Sequence, residues 1–494
     1  MRLRSSGFLK WSSLPTEIRH LILNTIADLK NPRWAELASV SKEWQSVIGA
    51  RNMAKLKLQS LSCFDRFRNV VRQRHLVRHI YLCIELPKYK CSICQDRSDR
   101  LRGIDSVVSY AIADVLTVLS TWDTQGPLTL ELNATSGSDT EHWAKNFRFD
   151  DSHDASSQDL TLVEPDWHDP KHGWVDGVQV NPPSFFALQQ VFGVVEMHYG
   201  SPSPVTAVTS LMIRRQFRRC LLPSSLSRLL SQLVCLTEMI YEPWKHEYTN
   251  LVPWGYFEAK SKQLGFMGMP LPDTLKRLIV FRHSDEHITQ SINADTMYQL
   301  YLSTRRRYRE IDSTSNNSQN LAQTSLRLEQ LSISFLIDAE DFLAACREEW
   351  TWDHLQSLAL TFQGSGKRHE KSINSLLLST AKLAMRMPKL ETTVLWSGGR
   401  GSSCAFIYTR SKYYARVVWR GTWNLKISLD VLEAWQDVAK IHSLELRVGH
   451  ERIKELINNY GDAIYHLNLP CKVVEPTSLW QMRIEGAWRH GQEG

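Results

Sequence analysis

The 494-residue sequence has no apolar run long enough for a membrane-spanning helix. Its most apolar helical stretch, Val107 to Leu119, is short and is interrupted by Asp114. The opening residues, MRLRSSGFLKWSS, are basic without the apolar segment of a secretory signal. Cysteine is scarce and odd in number, with nine thiols at 63, 83, 91, 94, 220, 235, 346, 404 and 471. A chain of this length can bury a core without covalent staples, so reduced thiols are expected. An excess of charge of one sign is also lacking: 59 basic residues face 52 acidic ones, a net +7. That balance does not argue for the concentrated basic face of a nucleic-acid binder. A soluble protein of the cytoplasm or nucleus is the expectation, with neither a membrane nor nucleic acid among its partners.

Enzyme signatures are missing as well. Neither a G-x-S-x-G elbow nor a dinucleotide fingerprint occurs. Gly364-Ser-Gly366-Lys367-Arg368 lacks the first glycine and the hydroxyl residue of a phosphate loop. No catalytic residue and no cofactor are therefore expected. Cys91-Ser-Ile-Cys94 could offer two thiolates to zinc, with Cys83 or His79 as conceivable partners. A structural zinc site needs four ligands, and no second Cys-x-x-Cys or His-x-His pair stands at a finger-like distance. Reduced loop cysteines and no metal are the reading. The stretch 139 to 172, with Asp139, Asp169, His142, His168 and His172 among its polar residues, reads as a solvated loop, since EF-hand spacing and H-E-x-x-H are absent. Arg214-Arg-Gln-Phe-Arg-Arg219 and Arg305-Arg-Arg-Tyr-Arg309 read as solvated faces or as a rim for an acidic partner.

What is present begins at residue 14. In LPTEIRHLILNTIADL, Leu14, Ile18, Leu21, Ile22, Thr25, Ile26 and Leu29 recur at helical spacing and form one stripe. Pro15 suits a first helical turn, and Asn31-Pro32 repeats that start signal for a second short helix containing Trp34, Leu37 and Ala38. Ser41 reads as the N-cap of a third helix, whose apolar face is Trp44, Val47 and Ile48. Three short helices in so few residues make a poor independent core and call for a partner.

Leu14-Pro15-x-Glu17-Ile18, Leu21-Ile22-Leu23 and Ala38-Ser-Val40-Ser41-Lys-Glu-Trp44 together resemble an F-box. The resemblance implies a three-helix module over 12–51 that binds a Skp-type adaptor and, through it, a cullin and a RING protein. It implies that Leu14, Pro15, Ile18, Ile22 and Val40 contact the adaptor, and that Leu21 and Trp44 hold the helices together. The middle segment, NPRWAE, departs from the family pattern.

Beyond the module a phrase recurs: apolar-x-x-apolar-x-apolar. It reads Leu275-Lys-Arg-Leu278-Ile-Val280, Leu328-Glu-Gln-Leu331-Ser-Ile333 and Leu355-Gln-Ser-Leu358-Ala-Leu360, with weaker copies from Val77, Leu236 and Ile441. The steps are 53 and 27 residues, then 35 to Leu390. Leucine-rich repeats step by about 20 to 29 residues. Ile373 to Met387 reads as a buried helix that stops before Pro388, after which a strand begins at Leu390. Trp396 to Asp430 reads as consecutive strands, a meander attached to the repeats, and 312–325 as a mobile polar loop.

Ile84-Glu-Leu-Pro87, Cys91-x-x-Cys94, Leu119-Ser-Thr-Trp122 and Ser138-Asp-Thr-Glu-His-Trp143 extend the resemblance to fungal F-box proteins whose C-terminal region has no defined function. The expected architecture is α/β: a three-helix F-box, then an irregular leucine-rich-repeat-like solenoid over 52–494 with some added β strands. The expected role is a non-catalytic substrate receptor of a Skp–cullin–F-box ubiquitin ligase that captures an unidentified protein through the C-terminal region. A scaffold that binds the adaptor without promoting ubiquitination is the alternative.

Overall fold

The recurring apolar phrases become strands that line up side by side. Leu278, Leu331 and Leu358 are register partners across three neighbouring parallel strands, as are Val280, Ile333 and Leu360. The computed structural model describes residues 11–29, 33–59, 63, 67, 74–94, 103–123, 126–147, 167–181, 183–198, 200, 203–244, 269–282, 313–364, 366 and 369–487. The opening segment holds helix α1 (Thr16–Leu29), a 3-10 turn (Trp34–Ser39) and helix α2 (Lys42–Ala54). Ser41 caps α2, its hydroxyl accepting from Trp44 N at 3.3 Å. The middle element of the expected three helices is thus a 3-10 turn. Asn31 and Pro32, its expected start, lie outside the described residues.

From Lys55 the chain enters the sheet directly, as β1 (Lys55–Leu58). After it come β2 (His79–Leu86), β3 (Thr129–Ser136), the short β4 (Trp174–Val175), β5 (Val178–Gln179) and β6 (Val194–Val195), then β7 (Ser210–Ile213), β8 (Cys220–Leu221), β9 (Glu238–Tyr241) and β10 (Arg277–Phe281). The last strands are β11 (Gln330–Ser334), β12 (Ser357–Thr361), β13 (Thr392–Gly399), β14 (Ser402–Arg410), β15 (Ala415–Gly421) and β16 (Leu446–Arg452). Among the described residues, twelve of them form one sheet in the order β1-β2-β3-β7-β9-β10-β11-β12-β13-β14-β15-β16. Every pairing within it is parallel except β13 with β14 and β14 with β15.

Helices α3 (Ile104–Leu119), α6 (Pro223–Gln232), α7 (Ser313–Ser325), α8 (Ala339–Ala345), α9 (Glu370–Ala384) and α10 (Leu429–Lys440) cover one face, and the short α4 (Gly137–Glu141) and α5 (Phe185–Phe192) lie outside the core beneath them. The largest core joins Val115, Leu226, Leu321, Phe342, Leu377 and Trp435 of these helices to Leu82, Leu211, Leu331, Leu395 and Phe406 of the sheet. Val394, Trp396, Ala405 and Ile407 alternate with those strand residues and so face the other way. There α11 (Tyr460–Leu467) and α12 (Pro476–Ala487) cover them with Ile464, Leu467 and Met482.

This mixed twelve-stranded sheet, helix-covered on both faces, replaces the expected irregular leucine-rich-repeat-like solenoid with added strands. The expected meander is part of the same sheet and no appendage. The physical reason is that an apolar-x-x-apolar-x-apolar phrase marks any strand buried in a parallel sheet. Residues 313–325 correct a second expectation, since that polar stretch is helix α7, with Leu321 and Ala322 in the core. No helix among the described residues is long and apolar enough to cross a membrane.

The Arg214–Arg219 segment is also unlike its expectation, because Arg214, Arg215, Arg218 and Arg219 are all buried. Glu485 of α12 faces Arg215 Nη2 at 2.7 Å and Arg218 Nη2 at 2.6 Å. Both guanidinium groups lie over the Trp244 ring, at 5.1 and 4.4 Å from its centroid. Glu131 on β3 accepts from Arg214 Nε at 2.6 Å and lies 2.7 Å from His79 Nε2. Burial alone raises the Glu131 pKa, but the bond to His79 and the Arg214 charge outweigh it and hold the carboxyl below the usual range. The other long basic cluster, 305–309, lies outside the described residues.

Removing the carboxylate from between two buried guanidinium groups, by Glu485→Ala, is expected to cost about 3–5 kcal/mol in urea unfolding. Lys440→Ala, which breaks an exposed pair with Asp437, should cost less than about 1 kcal/mol. Equal effects of the two would contradict the structural role of the buried group. Because the Glu131 pKa is lowered on folding, its contribution is complete above the unfolded value of about 4.3 and is lost as pH falls through the lower folded value. Glu131→Gln should therefore flatten the acid limb of a stability-versus-pH curve, and an unchanged limb would refute the assignment.

Candidate functional site

Two places concentrate side chains that the sheet itself does not need. The first is the outer surface of the N-terminal helices. At about 100° per residue, Ile18, Leu21, Ile22, Thr25 and Leu29 share one face of α1, while Leu23 and Ala27 lie on another. Leu23 and Ala27 are the buried pair, together with Ile48 of α2. The apolar stripe points outward: Ile18 is 43%, Leu21 62% and Leu29 64% exposed. Val40, after the 3-10 turn, is 60% exposed. Of the other residues singled out in the sequence, Pro15 is exposed and Leu14 and Ile22 are half-buried. Leu21 was expected inside the module and stands outside it, because Leu23 takes the inward position. Trp44 is half-buried against Trp11, their ring centroids 5.6 Å apart.

An ion pair and a shared carboxylate clamp the helices beneath that stripe. Arg19 Nε donates to Glu43 Oε1 at 2.8 Å, and Trp11 Nε1 donates to Glu43 Oε2 at 3.0 Å. The bond from Arg19, seconded by that from Trp11, holds the Glu43 carboxyl below its ordinary pKa. Since α2 passes straight into β1, the module is fixed to one end of the sheet.

The second place lies beyond the carboxyl ends of β2 and β3. These strands run parallel with Leu86 opposite Ser136, so the segments leaving them emerge side by side. After β2 comes the 3-10 turn Cys91–Cys94. After β3 comes α4, whose capping box pairs Ser136 with Asp139, and then His142. The 3-10 turn Pro170–His172 closes over both. Cys91 Sγ lies 3.0 Å from His172 Nε2, and Cys94 Sγ lies 3.7 Å from His142 Nδ1. The two imidazoles stack with centroids 4.8 Å apart and planes 15° from parallel. His172 Nδ1 donates to Asp169 Oδ2 at 2.7 Å, and Lys145 Nζ lies 3.0 Å from that same oxygen. Ser184, the cap of α5, donates to the Cys94 carbonyl. Burial pushes the Cys94 thiol up to about 11, and burial, then the His172 ring, lowers the pKa of His142.

The four donors stand as two sulfur–nitrogen pairs. Among the described residues no three Cys, His, Asp or Glu side chains already surround one point. Cys83 and His79, the partners considered from sequence, are elsewhere: both lie in β2, and His79 serves Glu131. Sequence reasoning missed His142 and His172 as companions of the cysteines because they lie 48 and 81 residues along the chain from Cys94 and Cys91. The parallel pairing of β2 and β3 sets His142 beside the cysteine turn, while the Lys145–Asp169 pair and the bond from Trp174 Nε1 to the Trp143 carbonyl bring in the turn that carries His172. Residues 148–166 of the expected acidic loop lie outside the described residues.

A family of unknown function, DUF6546, matches residues 270–475. That span begins before β10 and stops just short of α12, so the helical module and the cysteine–histidine cluster both lie outside it. No curated protein matches the chain.

Gly173 holds the turn that carries His172. Its φ is +76°, and a Cβ there would meet Asn181 O at 2.3 Å and the Trp143 ring at 2.8 Å. Gly173→Ala is expected to cost about 1–3 kcal/mol, read as a lower urea midpoint. An unchanged midpoint would mean that the turn is not rigidly held.

Proposed function

We propose that residues 12–51 dock the chain onto a Skp-type adaptor, and that the remainder presents a bound protein to the attached cullin–RING ligase. One observation carries this reading: the apolar stripe of α1 faces away from the module's own buried pair, with Ile18, Leu21 and Leu29 exposed in line. A helix that packed only against its own domain would turn that stripe inward. Exposed apolar residues scattered singly are ordinary, whereas an aligned set on a short helix is the surface of helix-mediated recognition. The F-box resemblance of the same residues names the partner. The short path from α2 into β1 supports a receptor role, because it couples the docked end to the sheet without a linker.

On this reading the chain performs no chemistry. It raises the effective concentration of a captured protein near a charged conjugating enzyme, which is where the rate gain arises. The setting is the cytoplasm or nucleus, where such ligases work.

Co-expression of the full chain with a Skp-type adaptor tests the reading. The wild type should co-purify with the adaptor and recover cullin through it. Leu21→Asp with Val40→Asp should weaken adaptor binding on the order of 100-fold. Their melting temperature should stay near that of the wild type, since both side chains are exposed. A folded wild type that does not bind, or variants that bind equally well, would overturn the proposal. Adaptor binding without cullin would leave the scaffold role in its place.

A further inference from the structure

We infer that Cys91 and Cys94 are a redox-active dithiol whose substrate is a disulfide, with His172 and His142 as the bases of its two thiols. One cysteine stands at each end of a single 3-10 turn. In such a turn side chains three apart eclipse, and at about 2.0 Å of rise per residue their Cα atoms stand about 6 Å apart. Disulfides span Cα separations of about 4.4–6.8 Å, so these two sulfurs can join with little movement of the backbone. Both thiols are free, Cys91 half-buried and Cys94 buried. Exchange with a disulfide depends on access, which makes Cys91 the entering thiol and Cys94 the resolving one.

Each thiol has its own proton acceptor. His172 Nδ1 donates to Asp169 Oδ2 at 2.7 Å, which leaves Nε2 as the acceptor nitrogen, facing Cys91 Sγ at 3.0 Å. Burial raises the Asp169 pKa, but the bonds from Lys145 and His172 outweigh it and hold the carboxyl below its usual range. The nucleophile in such an exchange is the thiolate, and His172 is placed to produce it. Cys94, its thiol pushed up by burial to about 11, keeps its proton until the second step, with His142 Nδ1 3.7 Å away. The two rings are stacked, so a charge on one opposes a charge on the other, and the two bases act in turn.

The exchange runs in two steps. Cys91 passes its proton to His172, and its thiolate attacks one sulfur of the substrate disulfide. A new S–S bond forms, the old one breaks, and the departing thiolate takes the proton from His172. Cys94 then passes its proton to His142, attacks Cys91 and expels the second thiolate, which takes that proton. The dithiol loses two electrons, the substrate gains them, and a Cys91–Cys94 disulfide remains beside two thiols. A hydrolase built from Cys91, His172 and Asp169 alone would leave Cys94 and His142 with no part. The dithiol is separate from the helical module, so its test is independent of adaptor binding.

The reduced full chain is incubated with oxidised glutathione, a small disulfide, or with insulin, a protein one, then quenched with acid, alkylated and mapped by peptide mass spectrometry. With at least one of them the wild type is expected to yield the Cys91–Cys94 disulfide, and the faster reaction identifies the kind of substrate. Cys94→Ser is expected to stop at a mixed disulfide on Cys91. Iodoacetamide should modify Cys91 on the order of tenfold faster than the half-buried Cys235 of the same chain, and His172→Gln should remove that advantage. No internal disulfide with either substrate, or a mixed disulfide that forms first on Cys94, would overturn the proposal. So would a wild type in which Cys91 is alkylated no faster than Cys235, a reading that stands even where His172→Gln fails to fold.

Discussion

Glu485 reaches from the last described helix to Arg215 and Arg218, some 270 residues earlier in the chain, and the second face of the sheet depends on that meeting. Toward its later strands this face is apolar, with Val394, Trp396 and Ile407 under α11 and α12. Toward β2 and β3 it is polar, with Tyr81, Glu131 and Asn133 all buried. One helix must serve both, and α12 does so by carrying Met482 on the apolar side and Gln481 and Glu485 on the polar side. Taking such charges out of water costs several kcal/mol each, which the pairing and the face of Trp244 offset. The arrangement secures position above all, since a buried carboxylate accepts very few alternative alignments.

A sheet held in this way turns its first strands into fixed mounts. β1 carries the helical module at one end of the strand order, and β2 and β3 deliver the cysteine turn and α4 beyond their carboxyl ends. That end of a parallel sheet is where adjoining loops most often gather functional groups. The two places are therefore anchored to neighbouring strands. The proposed adaptor surface and the cysteine–histidine cluster share a foundation although their chemistries are unrelated.

The sequence made much of the strand content legible. The phrases from Leu275, Leu328 and Leu355 fall on β10, β11 and β12, and their leucines are register partners. The layers around the sheet were not legible, because a strand phrase does not say whether its second face is covered, and by what. Helix α7 escaped because STSNNSQNLAQTS offers only Leu321 and Ala322 to a core. The buried arginines read as solvated because their acidic partners, Glu131, Asp139 and Glu485, are remote in sequence. The stripe of α1 is correctly spaced, but the resemblance implies Leu21 inside, although helical spacing sets it on the same face as Ile18 and Ile22 and it is exposed there. Cys91-x-x-Cys94 was visible, yet its histidines lie beyond any local spacing rule.

Docking through the outward stripe of α1 is tested best by hydrogen exchange of the full chain, with and without a Skp-type adaptor. The adaptor is expected to slow exchange along residues 14–29 and 34–48 and to leave the strands of the sheet unchanged. Binding that protects the sheet instead, or that leaves α1 exchanging as in the free chain, would contradict docking through that surface.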